Sequence, residues 1–482
     1  MRVSKVPALP DAALPLLFAA LYSPLLFASL TGQLEPRAGR SGHIHAAWAV
    51  CVGDSMASSV ASGAAVVDDL GFRGLLQDHT DETALRELLE PGGVPLYHGI
   101  DPTAPSLHLG NFIGVLVLRR FQDAGHRPIA LVGGATGMVG DPSGRSGERN
   151  LLDVDELAAN VSGIRSQLER LLDFSGAGGA ELVDNYDWTR DVTLLEFLRD
   201  AGKHVTVNQM VAKDSIRSRM TSDVGISFTE FSYMLLQAFD FWWLHENRGC
   251  KLQIGGSDQW GNITAGIDLI RRRSGARAHG LTWPLMTRSD GSKFGKTAEG
   301  AVWLDPEMTM PYEFHQYFLR VSDADVERAL KQLTLLGVDN ISEIMREHAA
   351  TPEKRLAQHA LADSVTALVH SSEALRRAKR AAAALFGGGG LDSEGLESLR
   401  GIVPETLVAA DSVGPDEPVV DLLVAAGVCA SKGDARRTIK QGGIRVNGRL
   451  VTNNSESVAA VGGRFALVQR GKKQRYLAVF DD

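Results

Sequence analysis

The sequence predicts an α/β chain: a doubly wound parallel sheet, then a helical region, then a small α/β module at the C-terminus. Three observations carry this. Between Val66 and about Pro284, short apolar runs alternate with helical patterns, and some of these runs end in paired glycines. After Thr297 the apolar residues recur at helical spacing, and past Ser431 the composition turns basic. Alternation of the first kind marks a Rossmann-like sheet, whose ligands sit beyond the C-terminal strand ends.

The elements follow in order. Ala12 to Leu30 carries no charge and is preceded by Arg2 and Lys5, while Pro15 and Pro24 interrupt it. Two prolines in so short a run weaken it as a membrane span, so we expect an organelle-targeting leader over 1–65, and no stable membrane association of the mature form. A start at Met56 is the alternative, and it would leave the protein cytoplasmic. Val94–Ile100 reads as a strand, Asn111–Ala124 as a helix and Arg127–Val132 as a buried strand ending in Gly133 and Gly134. Leu252–Ile254 reads as a further strand running into Gly255 and Gly256, with a helix from about Gln259. Ser322 is a candidate N-cap, followed by Val326, Ala329, Leu330 and Leu333 on one helical face. Helical patterns also cover Pro352–His370 and Glu373–Leu385. The expected division is 66–310 for the sheet domain, 311–385 for the helices, 386–417 as linker around Gly387–Gly390 and Ser412–Pro418, and 418–482 for the last module.

Composition narrows the function classes. A content of 44% hydrophobic and 22% charged residues is that of an ordinary globular enzyme, and a formal charge of −8 argues against a dedicated nucleic-acid binder. That average hides a basic tail: Lys432, Arg436, Arg437, Lys440, Arg445, Arg449, Arg464, Arg470, Lys472, Lys473 and Arg475 face only Asp434, Glu456, Asp481 and Asp482. Such a tail suits phosphates, although a solvated basic face would look the same. Cys51, Cys250 and Cys429 have no metal-ligand or disulfide-framework spacing, so no structural metal is expected.

Two distant segments ask for one partner. His108, Gly110 and Asn111 open a helix whose free amides attract phosphate oxygens, and Lys293 and Lys296 flank a glycine hinge in Lys293-Phe-Gly-Lys-Thr297. Together they read as a clamp for a polyphosphate, so the chain is expected to handle ATP. Either segment alone would pass for a capped turn or a solvated lysine pair. Tyr233, Gln237 and Asp240 fall on one face of a helical stretch, an expensive polar stripe unless a polar ligand or a buried network satisfies it. Trp242 and Trp243 read as core.

The full run from Gly99 to Asn111, with Asp101 and Thr103 inside it, resembles the HIGH signature of class I aminoacyl-tRNA synthetases in its tyrosyl form, and Lys293–Thr297 is similar to their KMSKS loop. The glycine-rich run Gly133–Gly144, the stretch Thr229–Asp240 and the run Gly255–Asn262 fit the same family, and Val419–Gly448 resembles the RNA-binding αL fold of a ribosomal protein. The resemblance covers about Ala84 to Asp482. It implies a tyrosine–tRNA ligase that uses ATP with Mg²⁺, serves tRNA(Tyr) in a mitochondrion or plastid, and forms a homodimer. Residues 66–310 would be catalytic, 311–385 anticodon-binding and 418–482 RNA-binding.

By that resemblance, Tyr97 and Asp240 would bond the substrate phenol; Asp141, Tyr233 and Gln237 would hold its ammonium; and Gln253 and Gln259 would support the pocket. Asp101 and Asp258 would position the amino acid or the adenylate ribose. Thr103, His108, Lys293, Lys296 and Thr297 would face the triphosphate, with Gly110 and Asn111 near the adenosine. Lys432, Arg436, Arg437, Lys440 and Arg445 would meet RNA phosphates. Asn111 stands where the signature has its second histidine, and His98 where relatives often have cysteine. An RNA-binding factor without catalysis, for example in intron splicing, is one alternative; intact Asp141, Asp240, Lys293 and Lys296 argue against it. A tryptophanyl cousin is the other, opposed by the Tyr97/Asp240 pair and the basic tail.

Overall fold

The structure is a computed structural model that describes residues 62–143, 153–176, 178–213, 216, 217, 220, 225–297, 300–387, 391–408 and 418–480. Cys51 and nearly all of the expected leader lie outside the described residues. Five parallel strands form the first sheet: β1 (Pro95–Ile100), β2 (Arg127–Val132), β3 (Glu181–Asp184), β4 (Leu252–Gly256) and β5 (His279–Trp283). Their order is β3-β2-β1-β4-β5, so the direction of winding reverses between β1 and β4. The ladder of β1 on β4 runs through Leu96↔Leu252 and Tyr97↔Gln253, and the ends of these two strands form the switch point at which open α/β sheets take their ligands.

Alternation along the strands divides the core. From β1, Leu96 and Ile100 point into one apolar cluster with Phe112, Leu116 and Phe121 of helix α1 (Leu109–Asp123). Tyr97 points the other way, among Phe239 and Phe241 of α2 (Phe228–Arg248) and Leu269 of α3 (Trp260–Ser274). Trp242 and Trp243 pack at the edge of that second cluster; Trp243 stacks on Trp188 with ring centroids 4.3 Å apart, and the Arg273 guanidinium lies 3.5 Å from the Trp242 ring centre.

A helical segment follows, with α4 (Pro311–Leu319), α5 (Asp323–Leu333), α6 (Val338–Ala350), α7 (Leu356–Val369) and α8 (Ser372–Phe386). Val326, Ala329, Leu330 and Leu333 are buried along α5, as their spacing demands. Ser322 does stand at its N-cap, but its hydroxyl donates to Asp325 Oδ2 at 2.8 Å and caps no helix amide.

The stretch read as linker is more ordered than its composition suggests. It contains the helical turn Ser393–Glu397 and the strand β6 (Glu405–Val408), while residues 388–390 and 409–417 lie outside the described ones. The second sheet adds β7 (Ile444–Val446), β8 (Arg449–Leu450), β9 (Phe465–Arg470) and β10 (Gln474–Phe480), in the order β8-β7-β9-β10-β6. β6 is therefore an edge strand, parallel to β10. Helix α9 (Lys432–Lys440) buries Ala435 and Ile439 against this sheet and turns Lys432, Arg436, Arg437 and Lys440 to solvent. Cys250 and Cys429 are buried free thiols. Among the described residues, no helix is long and apolar enough to cross a membrane.

Candidate active site

The two turns that suggested a clamp lie side by side. His108 caps α1 through its ring: Nδ1 accepts from the Gly110 and Asn111 amides at 3.1 and 3.2 Å, and Asn111 Oδ1 accepts from the His108 amide at 3.3 Å. Two amides on Nδ1 place the ring hydrogen on Nε2, which makes that atom a donor. A Cβ at Gly110 would sit 2.9 Å from His108 Cε1, so a larger residue there would have to move the capping ring. The lysine-rich turn packs directly on this helix start. Gly295 has φ +81°, and a Cβ there would lie 3.0 Å from Leu109 Cβ. The chain leaving the turn is bonded to the helix start, with Leu109 N donating to Val302 O at 3.1 Å and Leu304 N to Leu107 O at 2.8 Å. Lys293, Lys296 and Thr297 are exposed, and Lys296–Thr297 pairs with Gly300–Ala301 as a two-residue ribbon. Thr103 is exposed on the loop after β1, its amide donating to Asp101 O at 2.9 Å.

Beyond the C-terminal ends of β1 and β4, polar side chains bond one another. Asp101, at the end of β1, accepts from Thr136 Oγ1 at 2.8 Å and from the Tyr233 hydroxyl at 2.9 Å. Gln259 Nε2 donates to Asp141 Oδ2 at 2.7 Å, and Asn262 Nδ2 donates to both Gln237 Oε1 and Gln259 Oε1 at 2.9 and 3.2 Å. Asp258 lies next to this group; burial foremost, then the Asp141 charge, raises its pKa, while Lys293 opposes the rise. Asp240 is buried and accepts from Asn185 Nδ2 and Trp188 Nε1, both at 2.9 Å. Burial pushes its carboxyl up to about 7 despite those two donors.

Two buried polar atoms here lack any partner among the described residues: the Tyr97 hydroxyl and Gln253 Oε1, on paired positions of adjacent strands. Burial and the Asp240 charge raise the Tyr97 pKa well above its ordinary value, so the phenol is a neutral donor and acceptor. Buried polar groups are nearly always bonded. A hydroxyl and an amide oxygen left over beside a carboxylate fit a small polar ligand, and a phenol has the chemistry to bond both Tyr97 and Asp240. His98, on the opposite face of β1, donates through Nδ1 to Ile254 O at 3.2 Å; burial lowers its pKa to about 4 and keeps it neutral.

Hydrogen bonds, strand pairing and neighbouring charges thus link Tyr97, Asp101, Asp141, Tyr233, Gln237, Asp240, Gln253, Asp258 and Gln259. The helix start of His108, Gly110 and Asn111 packs on the turn of Lys293, Lys296 and Thr297, and Thr103 stands on the loop between Asp101 and His108. Lys432, Arg436, Arg437, Lys440 and Arg445 belong to the C-terminal module instead. Arg436, Arg437 and Lys440 line a surface concavity with Thr452 and Asn454. Sequence reading missed Thr136, Asn185, Trp188 and Asn262, which hold Asp101, Asp240, Gln237 and Gln259 in place. The polar turn after β3 was the available signal for two of them. Among the described residues, no group of three or more His, Cys, Asp or Glu is placed to hold a metal ion.

Residues 92–387 match the family model "tRNA synthetases class I (W and Y)", and 398–478 match "Tyrosine--tRNA ligase SYY-like C-terminal domain". A tyrosine–tRNA ligase of Opitutus terrae is 52% identical over 415 residues, covering 85% of this chain and 98% of the relative. The chain belongs to the class I tyrosine–tRNA ligases. It is an aminoacyl-tRNA synthetase, and the tryptophanyl alternative is set aside. A Bacillus caldotenax tyrosine–tRNA ligase is 51% identical over 416 residues, with 85% of this chain and 98% of the relative covered. Among solved structures, a C-terminally truncated mitochondrial tyrosyl-tRNA synthetase of Aspergillus nidulans superposes with a TM-score of 0.61 at 34% identity, over 67% of this chain and 94% of that one. The second family match begins at residue 398, so it takes in the edge strand β6 as the sheet pairing does.

Proposed function

We propose that this synthetase joins L-tyrosine to ATP as tyrosyl-adenylate, releases pyrophosphate, and passes tyrosine to the 3′-terminal ribose of tRNA(Tyr) inside an organelle. The observation that carries the substrate assignment is the unpartnered Tyr97 hydroxyl beside Asp240, on the strand β1 that leads into the His108 turn. Tyr97 and Asp240 take the phenol; Asp141, Tyr233 and Gln237 take the α-ammonium; Gln253 and Gln259 support the pocket. Asp101 and Asp258 position the amino acid and the ribose. Thr103, His108, Lys293, Lys296 and Thr297 meet the triphosphate, with Gly110 and Asn111 beside the adenosine. Mg²⁺ enters with ATP as part of that substrate and neutralises phosphate charge.

No side-chain nucleophile is needed, because a free carboxylate is already ionised at pH 7. The rate comes from alignment and from cations placed where pyrophosphate gathers charge. Phenylalanine is rejected because its binding strands the polar groups that await the phenol, an effect this family commonly illustrates.

The division into catalytic, anticodon-binding and C-terminal RNA-binding parts is also part of this reading. The RNA-binding part is supported by the exposed basic face of α9 and by Arg445, exposed on β7 of the same module. A homodimer is supported by large apolar side chains left exposed in one stretch, among them Leu194, Leu195, Val207 and Phe228 at 71, 79, 63 and 78%. Organellar residence is supported by the uncharged Ala12–Leu30 stretch behind Arg2 and Lys5, and by the mitochondrial origin of the Aspergillus and Coccidioides posadasii enzymes it resembles.

The test is ATP–pyrophosphate exchange by the full chain with each of the twenty amino acids. Tyrosine alone should support rapid exchange; a flat response would end the substrate assignment. Fusing residues 1–65 to a fluorescent protein tests the address, and a diffuse cytosolic signal would refute it.

A further inference from the structure

The lysine-rich turn takes its position from the helical segment as well as from the helix start it faces. Tyr317, on α4, accepts the Gly295 amide on its hydroxyl at 2.8 Å, between Lys293 and Lys296. Its ring meets Phe294 edge-on with centroids 5.7 Å apart, and Phe294 is buried. Arg288 sits 6.0 Å from the same ring centre and donates to Lys296 O at 3.3 Å. The limb leading into the turn is tied one helix further on. Buried Asp325, on α5, accepts from the Ser289 amide at 2.8 Å and from the Ser289 hydroxyl at 3.3 Å. Arg328 bonds both Asp325 at 2.9 Å and the carbonyl of Thr287. Thr287 bridges Lys293, so the limb is a tight hairpin fixed at its base.

We infer that Tyr317 and Asp325 are positioning residues, which act through Lys293 and Lys296 to hold the turn in register for adenylate formation. This rests on the proposed role of those lysines at the triphosphate. A turn with a glycine hinge and two flexible ammonium groups would otherwise spend its time in many geometries, and only one aligns both charges with the departing pyrophosphate. The Tyr317 hydroxyl fixes the peptide between the lysines, and Asp325 fixes the hairpin that supplies the first. Both anchors lie on the helical segment, so a shift of that segment is passed to the lysines.

Tyr317→Phe keeps the ring and its packing on Phe294 and deletes only the acceptor. Measured by ATP–pyrophosphate exchange on the full chain, it should lower kcat about three- to tenfold, the weight of one neutral hydrogen bond. The KM for tyrosine should stay near wild type and stability should fall by no more than one hydrogen bond is worth, whereas a merely structural role would leave kcat unchanged. In a Lys296→Ala background the same change should cost less than about twofold, because one of its two charges is already missing. An unchanged kcat in Tyr317→Phe, or an equal loss in both backgrounds, overturns the inference while the lysine assignment stands. A Lys296→Ala variant with wild-type exchange removes the lysine assignment and the inference with it.

Discussion

Tyr97→Phe should separate binding from stability by moving them in opposite directions. Tyr97 is 1% exposed, and its hydroxyl has no partner among the described residues. A buried hydroxyl without a partner costs about 1–3 kcal/mol of lost hydration. Phenylalanine keeps the ring contact with Phe241, whose centroid lies 5.4 Å away, and removes the oxygen. The ligand-free variant should therefore be at least as stable as wild type, with a gain of about 1 kcal/mol. With tyrosine bound, the hydroxyl would have its partner, and losing a neutral hydrogen bond costs about 0.5–1.5 kcal/mol. That is roughly a two- to twelvefold fall in kcat/KM for tyrosine, while phenylalanine use should stay level or rise because one polar group that its ring would strand is gone. Pyrophosphate exchange with each amino acid, paired with urea unfolding of the free protein, reads both effects. A variant that is clearly less stable, with an unchanged tyrosine-to-phenylalanine ratio, would mean that the hydroxyl is structural and takes no part in recognising the phenol.

Two further changes have defined signs. Gly110→Ala would raise stability by up to ~1 kcal/mol if the site were open, since alanine favours a helix; instead its Cβ would lie 2.9 Å from His108 Cε1, so we expect the cap to be displaced, stability to fall by about 1 kcal/mol and the KM for ATP to rise. Unfolding and exchange measured together check this, and a stabilised, active variant would contradict it. Asp240 titrates near 7 in the folded chain through burial, above the ~3.9 of a free aspartate, so its contribution to stability is full below about pH 4 and is lost as pH rises through 7. Asp240→Asn should flatten the pH dependence of the unfolding free energy in urea between pH 4 and 7 by up to ~4 kcal/mol, and an unchanged slope would show that Asp240 does not titrate there.

Much of the fold was legible because it is written in local periodicity. Arg127–Val132 was read residue for residue, since six apolar or extended positions between a turn and two glycines leave little choice. Helix α1 begins two residues earlier than expected, because the His108 ring caps it and apolar spacing cannot show a cap made by a ring nitrogen. The Ser322 hydroxyl was read as a helix cap but serves Asp325, and with it the lysine-rich turn, a pairing that no window of sequence reveals. β6 passes for linker in the sequence because Glu405–Val408 is short and leaves Leu407 65% exposed; it becomes a strand only through its pairing with β10. In the site, motif residues were readable while their supports were not. Asn185 and Trp188 stand 55 and 52 positions from Asp240, and only folding brings a donor to each carboxylate oxygen.

In the proposed reaction, the turn capped by His108 and the turn carrying Lys293 and Lys296 serve one triphosphate. Single-turnover formation of tyrosyl-adenylate by the full-length Lys296→Ala variant tests it most directly, with tyrosine affinity measured in parallel. The rate should be at least about a hundredfold lower, the usual cost of removing one group that stabilises transition-state charge, and the tyrosine Kd within about twofold of wild type. A rate close to wild type, or a loss of tyrosine affinity larger than the loss of rate, would contradict it.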